Sequence, residues 1–134
     1  MNITQAVLDD LTAQAKQSPK LRKNLDLRNS EEDKSQRILN AVEPGSPEII
    51  HRHRNTNETV VIVRGHFQEL FYNEDGTLQE VIDLIPNGPT VAISVPKGQW
   101  HTARAIESGT VVMACKDGAY QPLDEDEIMD MPEK

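Results

Sequence analysis

The stretch IIHRHRNTNETVVIVRG, Ile49 to Gly65, decides the fold of this chain. In a β-strand, residues i and i+2 point to the same side, so we expect the side chains of His51 and His53 to project together. A short polar turn, RNTN, separates them from Glu58, which opens an apolar run rich in β-branched residues. A hairpin at this turn would bring the Glu58 carboxylate back beside the two imidazoles.

A third histidine, His101, lies far along the chain, after the turn-forming sequence PKGQW. Three neutral imidazoles and one carboxylate form a borderline-to-hard ligand set that suits Fe(II), Mn(II), Ni(II), Zn(II) or Co(II). A His-x-His pair alone is a weak signal, because short polar histidine pairs at strand ends are often plain surface residues. From this local pattern, a metal site and a polar turn between strands both remain open.

The spacing of apolar residues predicts a helix before this stretch and short strands after it. Apolar residues recur at helical spacing from Ile3 to Ala15, so residues 3–17 are predicted to form a helix that ends before Pro19. From residue 48 onward, short β-branched runs alternate with turn signals such as Asp75-Gly76, which is typical of a hairpin. About seven short strands at this spacing predict an antiparallel sandwich or a small barrel.

We expect one domain in three parts. Residues 1–36 form an N-terminal helix and extension that packs on the barrel, residues 37–123 form the barrel, and residues 124–134 form an acidic C-terminal tail. The extension after the helix is polar and basic, and it is expected to be a loop with at most a short strand. The tail is predicted to be surface without a chemical role.

Composition argues against several classes of function. The chain has 134 residues, enough for one domain with a real core. Its net charge of −8 argues against nucleic-acid binding, because phosphate contacts need clustered lysines and arginines. No apolar run approaches the roughly 20 residues that span a bilayer, and the first residues lack the pattern of a secretory signal. We therefore expect no membrane partner. With one cysteine, Cys115, no internal disulfide can form, so we expect a cytoplasmic protein.

The wider spacing of these residues resembles the cupin superfamily. The first cupin motif is matched at each fixed position, by Gly45, His51, His53, Glu58 and Gly65. The core of the second motif is matched by Pro96, Gly98 and His101. Thr90 and Ala105 stand where that motif usually has glycine and asparagine, which leaves the subfamily and the strand ends open. The resemblance implies a double-stranded β-helix, a jelly-roll barrel, with a metal ion in its mouth. It also implies the ligands of that ion: His51, His53, Glu58 and His101.

A narrower resemblance covers nearly the whole chain. The segments SPKLRKNLDL, QRILNAVEPGSPEIIHRHR, VPKGQWHT and GTVVMACKDGAYQPL are similar to the WbuC-type cupin-fold metalloproteins, which are encoded among bacterial surface-polysaccharide genes. This resemblance implies a link to O-antigen or nucleotide-sugar metabolism. Related cupins that act on nucleotide sugars include ketoisomerases and epimerases.

Strand parity predicts which side chains contact a bound molecule. Arg64 is placed on the face of the glutamate ligand, and Gln99 on the face of the third histidine. Met113 lines the cavity if its face of the last strand is the inward one. Arg37, on the strand that leads into the motif, is suited to hold an anionic group because a guanidinium matches carboxylate and phosphate. These four residues are the predicted substrate contacts.

Two functions of different classes fit these expectations. One is a metal-dependent enzyme that isomerises or epimerises a sugar or nucleotide sugar, or a dioxygenase if the ion is iron. The other is a non-catalytic module that binds a sugar or organic acid through the metal, since a fold does not fix a function. A structural dimer with a vestigial site is a third. We expect a small, anionic-sugar type of ligand and a homodimer, and no catalytic residue is assigned.

Overall fold

The computed structural model describes residues 1–129 and is built mainly from antiparallel strands. In chain order the elements are α1 (Gln5–Gln17), β1 (Arg22–Asp26), β2 (Ser35–Val42), β3 (Glu58–Arg64), β4 (Phe67–Tyr72), β5 (Leu78–Leu84), β6 (Ala92–Val95), β7 (Trp100–Ala105), β8 (Thr110–Asp117) and a 3-10 turn, Glu125–Glu127. The mainly β fold class and the N-terminal α-helix are confirmed. Within these residues, no helix has the length and apolarity needed to cross a membrane.

The strands form two sheets that face each other. The larger sheet has the order β1-β2-β8-β3-β6 and the smaller sheet the order β5-β4-β7, and neighbouring strands are antiparallel. Apolar side chains of both sheets meet in an interior cluster: Val60, Ile62, Phe67, Leu84 and Val112. Glu58 lies one inward position before Val60 on β3, so the candidate site stands at one end of this cluster.

Helix α1 covers the outer face of the larger sheet. The Thr4 side chain caps the helix by accepting a hydrogen bond from the Val7 N–H (3.3 Å), and the helix ends at Ser18, which is extended before Pro19. Ile3, which the sequence pattern included in the helix, precedes it and is exposed. The buried cluster between helix and sheet consists of Leu8, Leu11, Ala15, Leu39, Ala41 and Val111.

Strand β1 forms the edge of the larger sheet, within the segment expected to hold at most a short strand. Leu25 lies opposite Leu39 of β2, and both Leu25 and Leu27 pack against the cluster beneath α1. This part of the chain therefore ties the helix to the sheet. The division of the chain into residues 1–36, 37–123 and 124–134 stays a prediction.

A β-bulge in β3 changes the face on which Arg64 lies. The pairing of β3 with β8 shifts register between Ile62 and Arg64, so the alternation of faces that holds from Glu58 to Ile62 is broken. The Arg64 guanidinium donates hydrogen bonds to the Gly109 carbonyl (2.8 Å) and to the Asp9 side chain on α1 (2.7 Å). The prediction that Arg64 shares the face of Glu58 is therefore wrong.

Met113 also lies on the outer face of the larger sheet. It packs against the helix cluster and sits opposite Leu39 in the pairing of β2 with β8. The inward residues of β8 are Val112, Ala114 and Lys116, because Lys116 is the residue that pairs with Glu58. The inward placement of Met113 is wrong, since parity along one strand does not say which of its two faces is inside.

Gly65 should tolerate no side chain, whereas Gly109 should tolerate one better. Both have positive φ, +88° and +83°, but a Cβ on Gly65 would lie 2.7 Å from the Thr110 Cα, and one on Gly109 would meet nothing within 4 Å. We expect G109A to lower the free energy of unfolding by about 1–2 kcal/mol and G65A by about 2 kcal/mol more, because only G65A adds a clash to the backbone strain. Urea unfolding followed by circular dichroism measures both, and equal losses would contradict the close approach of Gly65 to Thr110.

Candidate metal centre

The backbone brings the first and third histidines together. His51 forms an isolated antiparallel bridge with His101 of β7, in which the His51 N–H donates to the His101 carbonyl (2.9 Å) and the His101 N–H to the His51 carbonyl (2.8 Å). The two imidazole centroids are 4.3 Å apart. The His53 ring lies 5.1 Å from that of His51, on the same side, as strand parity predicts.

The three imidazoles present nitrogen atoms to a common point. One ligand atom from each of His51, His53 and His101 lies within 4.8 Å of the others. Two nitrogens bound to one ion at about 2.1 Å lie at most about 4.2 Å apart, so small side-chain adjustments would let the three share an ion. Nδ1 of His51 lies 2.9 Å from the Ile49 carbonyl and Nδ1 of His101 lies 2.8 Å from the Gln99 carbonyl. A carbonyl only accepts, so these Nδ1 atoms carry the hydrogens and leave Nε2 free to bind a metal.

Glu58 faces the imidazoles from the opposite sheet. Its carboxylate oxygens lie 3.9 Å from Nε2 of His53 and 3.9 Å from Nε2 of His101. The Lys116 ammonium is 4.0 Å from the same carboxylate, because the two residues pair directly across β3 and β8. The structure therefore brings together all four residues that the cupin resemblance implied as ligands.

Burial keeps the imidazoles neutral at pH 7. It lowers the pKa of His51 to about 4 and that of His53 to about 3, with the charges of neighbouring groups as smaller causes. The pKa of His101 is also lowered, mainly by burial, and burial raises the pKa of the Glu58 carboxyl. Neutral imidazoles are the form that binds metal.

His101 carries the clearest sign of a missing partner. The residue is 2% exposed, and its Nε2 is buried without a hydrogen-bond partner among residues 1–129. A buried polar atom without a partner costs stability, so native structures contain few of them. An ion bound at Nε2 would remove this cost, and the donor set of nitrogen and carboxylate oxygen suits a divalent transition metal.

A small polar cavity opens beside His53. It has a volume of about 190 Å³, and its lining includes Gln36, Arg54, Asn55, Thr56, Lys116 and Glu127. Sequence reasoning missed Gln36 and Lys116. The signal in the sequence was a lysine on the same face as Val112 and Ala114 of the last strand, and its meaning depends on the order of the strands.

The acidic segment after residue 123 forms one wall of this cavity. Asp126 and Asp124 accept hydrogen bonds from the Arg54 guanidinium at 2.6 and 3.2 Å. The Glu127 carbonyl accepts a hydrogen bond from the Arg52 N–H (3.0 Å), and the Glu127 carboxylate accepts one from the Arg54 N–H (3.0 Å). The last part of the predicted tail, residues 130–134, lies outside the described residues.

Two further predicted substrate contacts differ in position. The Gln99 side chain donates to the Tyr72 carbonyl (3.1 Å), and the Gln99 carbonyl orients the ring of His101. Arg37 lies on the outer side of β2, where its guanidinium donates to the Asp33 carboxylate at 3.1 Å. Gln99 therefore supports the site through His101, whereas Arg37, like Arg64 and Met113, lies away from the imidazoles.

A family model matches more than half of the chain. Residues 3–84 match the model described as Domain of unknown function (DUF6016). The chain belongs to this family. The matched range contains His51, His53 and Glu58 and ends before His101. No curated protein matches the chain.

Solved structures with a similar fold come from proteins of different size. KdgF from Halomonas sp. has a TM-score of 0.58 and 17% identity, over 75% of this chain and 82% of that chain. The capsular polysaccharide assembling protein CapF from Staphylococcus aureus has a TM-score of 0.58 and 19% identity, over 75% of this chain and 27% of that chain. A variant of oxalate decarboxylase from Bacillus subtilis has a TM-score of 0.55 and 17% identity, over 82% of this chain and 28% of that chain. The chain thus spans under a third of the last two proteins.

These are cupin-fold proteins, so the predicted cupin barrel is confirmed. At such low identity the likeness shows the fold alone. Another of the similar structures is of the same Bacillus subtilis oxalate decarboxylase, which has Mn(II) centres. Those centres are a property of that protein. The narrower resemblance to the WbuC-type proteins stays a prediction, as do the homodimer and the cytoplasmic location.

The lowered pKa of His53 predicts a pH dependence of the metal-free protein. Below pH 6.5 the unfolded state takes up a proton at this residue, whereas the folded state, with a pKa of about 3, does not, so stability falls as pH falls. Between pH 7.5 and pH 5.5 the free energy of unfolding should drop by about 1 kcal/mol more in the wild type than in H53Q. Urea unfolding in a chelator measures this, and identical pH profiles would contradict the buried, neutral imidazole.

Proposed function

We propose that His51, His53, His101 and Glu58 hold one divalent metal ion in the mouth of the barrel. The observation that carries this proposal is the buried, unpartnered Nε2 of His101, close to ligand atoms of the other two imidazoles. The ligand set fits Fe, Mn, Ni, Zn or Co. Four protein ligands leave one or two positions of a five- or six-coordinate ion open to a small molecule.

The charge immediately at the proposed metal ligands, away from the acidic wall of the cavity, favours an anionic ligand. A divalent ion exceeds the charge of the single Glu58 carboxylate, and Lys116 adds a further positive charge at 4.0 Å from that carboxylate. Once Glu58 coordinates the ion, the Lys116 ammonium is available to pair with a ligand in the cavity that it lines. We therefore propose a carboxylate- or phosphate-bearing sugar, or a small organic acid, as the ligand.

The size of the cavity limits how much of the ligand is enclosed. A volume of about 190 Å³ is below the roughly 300–1,000 Å³ of pockets that enclose drug-sized ligands. One sugar ring or one organic acid fits such a space. With a nucleotide sugar, only the sugar would enter the mouth and the nucleotide would lie outside it.

We propose as the reaction the isomerisation of a keto sugar, or epimerisation at the carbon next to its carbonyl. A bound divalent ion would supply Lewis-acid polarisation of the carbonyl oxygen. Lys116 would orient the anionic end of the sugar, and Gln99 would hold the His101 ring in position through its carbonyl. The name of CapF, a capsular polysaccharide assembling protein, supports a role in surface-polysaccharide metabolism, as does the WbuC-type resemblance.

Replacing His101 should abolish tight metal binding. Replacing a residue that hydrogen-bonds a metal ligand typically weakens metal affinity about 10–100-fold. H101A removes a proposed ligand itself, so we expect it to weaken the binding of Mn(II) or Zn(II) by at least about 100-fold. The matched control is H66A, because His66 lies outside the cluster with its ring bonded to Asp83 at 2.6 Å. Elemental analysis of untagged protein and competition with a chelator measure occupancy and affinity. Absence of an ion from supplemented wild-type protein, or tight binding by H101A, would remove the proposal.

Lys116 should govern the preference for anionic ligands. In metal-loaded protein, K116Q should bind anionic sugars about tenfold more weakly, the lower end of what a charge-assisted hydrogen bond contributes, while uncharged analogues bind as before. A panel of keto-sugar nucleotides and sugar acids, followed by nuclear magnetic resonance, reports binding and conversion together. Conversion of a panel member supports the enzyme. A ligand that stabilises the protein and is recovered unchanged supports the binding module instead.

A further inference from the structure

A second interior carboxyl, that of Glu69, has no role in the site described so far. The residue is 2% exposed, and its Oε2 is buried without a hydrogen-bond partner among residues 1–129. Sequence reasoning passed over it, because HFQELFY reads as an ordinary strand. A buried carboxyl oxygen without a partner costs stability, so its presence needs a physical reason.

The strand pairing aims Glu69 into the barrel. On β4 it lies opposite Ala103 of β7 and Ile82 of β5, and both of these side chains pack against the interior cluster. His101 lies two residues before Ala103, on the same face of β7. Glu69 is therefore the diagonal cross-strand neighbour of His101, a separation that long side chains can bridge.

Two unpartnered polar atoms thus lie on the inner faces of neighbouring strands. They are Nε2 of His101 and Oε2 of Glu69. The residue opposite Glu69, Ala103, has only a methyl group, so the side chain directly across from the carboxyl is small. Burial raises the pKa of Glu69 well above its ordinary value, with the charge of Glu58 as a further cause, which favours the neutral carboxyl, the form that can donate a hydrogen bond.

Another buried carboxyl of this fold has hydrogen-bond partners for both of its oxygens. Glu43 lies at the far end of the barrel, where its two oxygens accept hydrogen bonds from the Ser108 hydroxyl (2.5 Å) and the Gly109 N–H (2.7 Å). Glu43 is 7% exposed and is fully paired by its own chain. The missing partner of Glu69 is therefore local to the end of the interior that holds the imidazoles.

We propose that Glu69 is a further binding residue of the metal centre, whose carboxyl hydrogen-bonds the oxygen atom of the non-protein ligand of the ion. That ligand is water in the resting protein and an oxygen donor of the bound molecule otherwise. The proposal rests on the proposed metal site. It assigns to Glu69 the orientation of the oxygen atom bound at the metal site.

The test compares E69L and E69Q with the wild type in full-length protein, with Mn(II) alone as the probe. Because E69L removes a group that contacts a bound water, it should weaken Mn(II) binding about tenfold and change the Mn(II) electron paramagnetic resonance spectrum. E69Q keeps a neutral hydrogen-bonding group, so its affinity should stay within about threefold of the wild type. Without metal, E69L should melt at or above the wild-type Tm, because it removes an unpartnered polar group.

E43Q is the matched control, because it alters a buried carboxyl that is already paired. It should lower the Tm of the metal-free protein and leave Mn(II) affinity unchanged, which separates stability from binding. If E69L does not fold, E69M, of similar length, takes its place.

The outcomes separate the two proposals. Wild-type Mn(II) affinity and spectrum in E69L, or a lower Tm with unchanged affinity, would overturn the role of Glu69 and leave the metal site intact. Failure of the wild type to bind Mn(II) or any other divalent ion would overturn the metal site, and the role of Glu69 with it.

Discussion

Two backbone hydrogen bonds between His51 and His101 are the constraint on which the candidate site depends. Each residue donates its N–H to the carbonyl of the other, at 2.9 and 2.8 Å, across fifty positions of sequence. Residues paired directly across antiparallel strands project their side chains to the same face. The imidazoles therefore meet because the backbone places them there. Glu58 arrives independently, through the pairing of β3 with β8.

The larger sheet supports two cores, and one strand serves both. Before the bulge, β3 directs Glu58, Val60 and Ile62 into the barrel. After it, Arg64 faces α1, where it bonds to the helix. Gly65 follows directly, and its positive φ and its closeness to Thr110 exclude a side chain there. The strand that carries the carboxylate of the site is thus anchored to the helix on the opposite face of the sheet.

The residues that could be predicted from the sequence are those whose positions depend on local information. Alternation within one strand places His51 and His53 together, and motif spacing identifies Glu58 and His101. The face on which Arg64 lies could not be predicted, because a bulge breaks the alternation and nothing in the apolar run indicates that bulge. For Met113, alternation gives two faces and no means of choosing between them.

The residues that were missed depend on which strands are neighbours. Lys116 is recognisable only when β8 is known to pair with β3, and Glu69 only when β4 is known to lie beside β7. Neither strand order can be read from one sequence, because it is a property of contacts between distant segments. The same holds for the acidic segment. Its composition indicates surface, yet it forms a wall of the cavity through Arg52 and Arg54.

The interior of the barrel divides into an apolar part that stabilises the fold and a polar part that does not. Val60, Ile62 and Val112 fill the first part. In the second, Glu58 and Glu69 carry carboxyls whose burial opposes their charged form, and His101 exposes a bare nitrogen to the interior. Apolar side chains of similar size would remove these costs, and the net stability of a domain is small enough for such costs to matter. Among residues 1–129 both oxygens of Glu43 accept hydrogen bonds, whereas Nε2 of His101 and Oε2 of Glu69 have no partner, and the proposed metal ion and its bound oxygen would supply one to each.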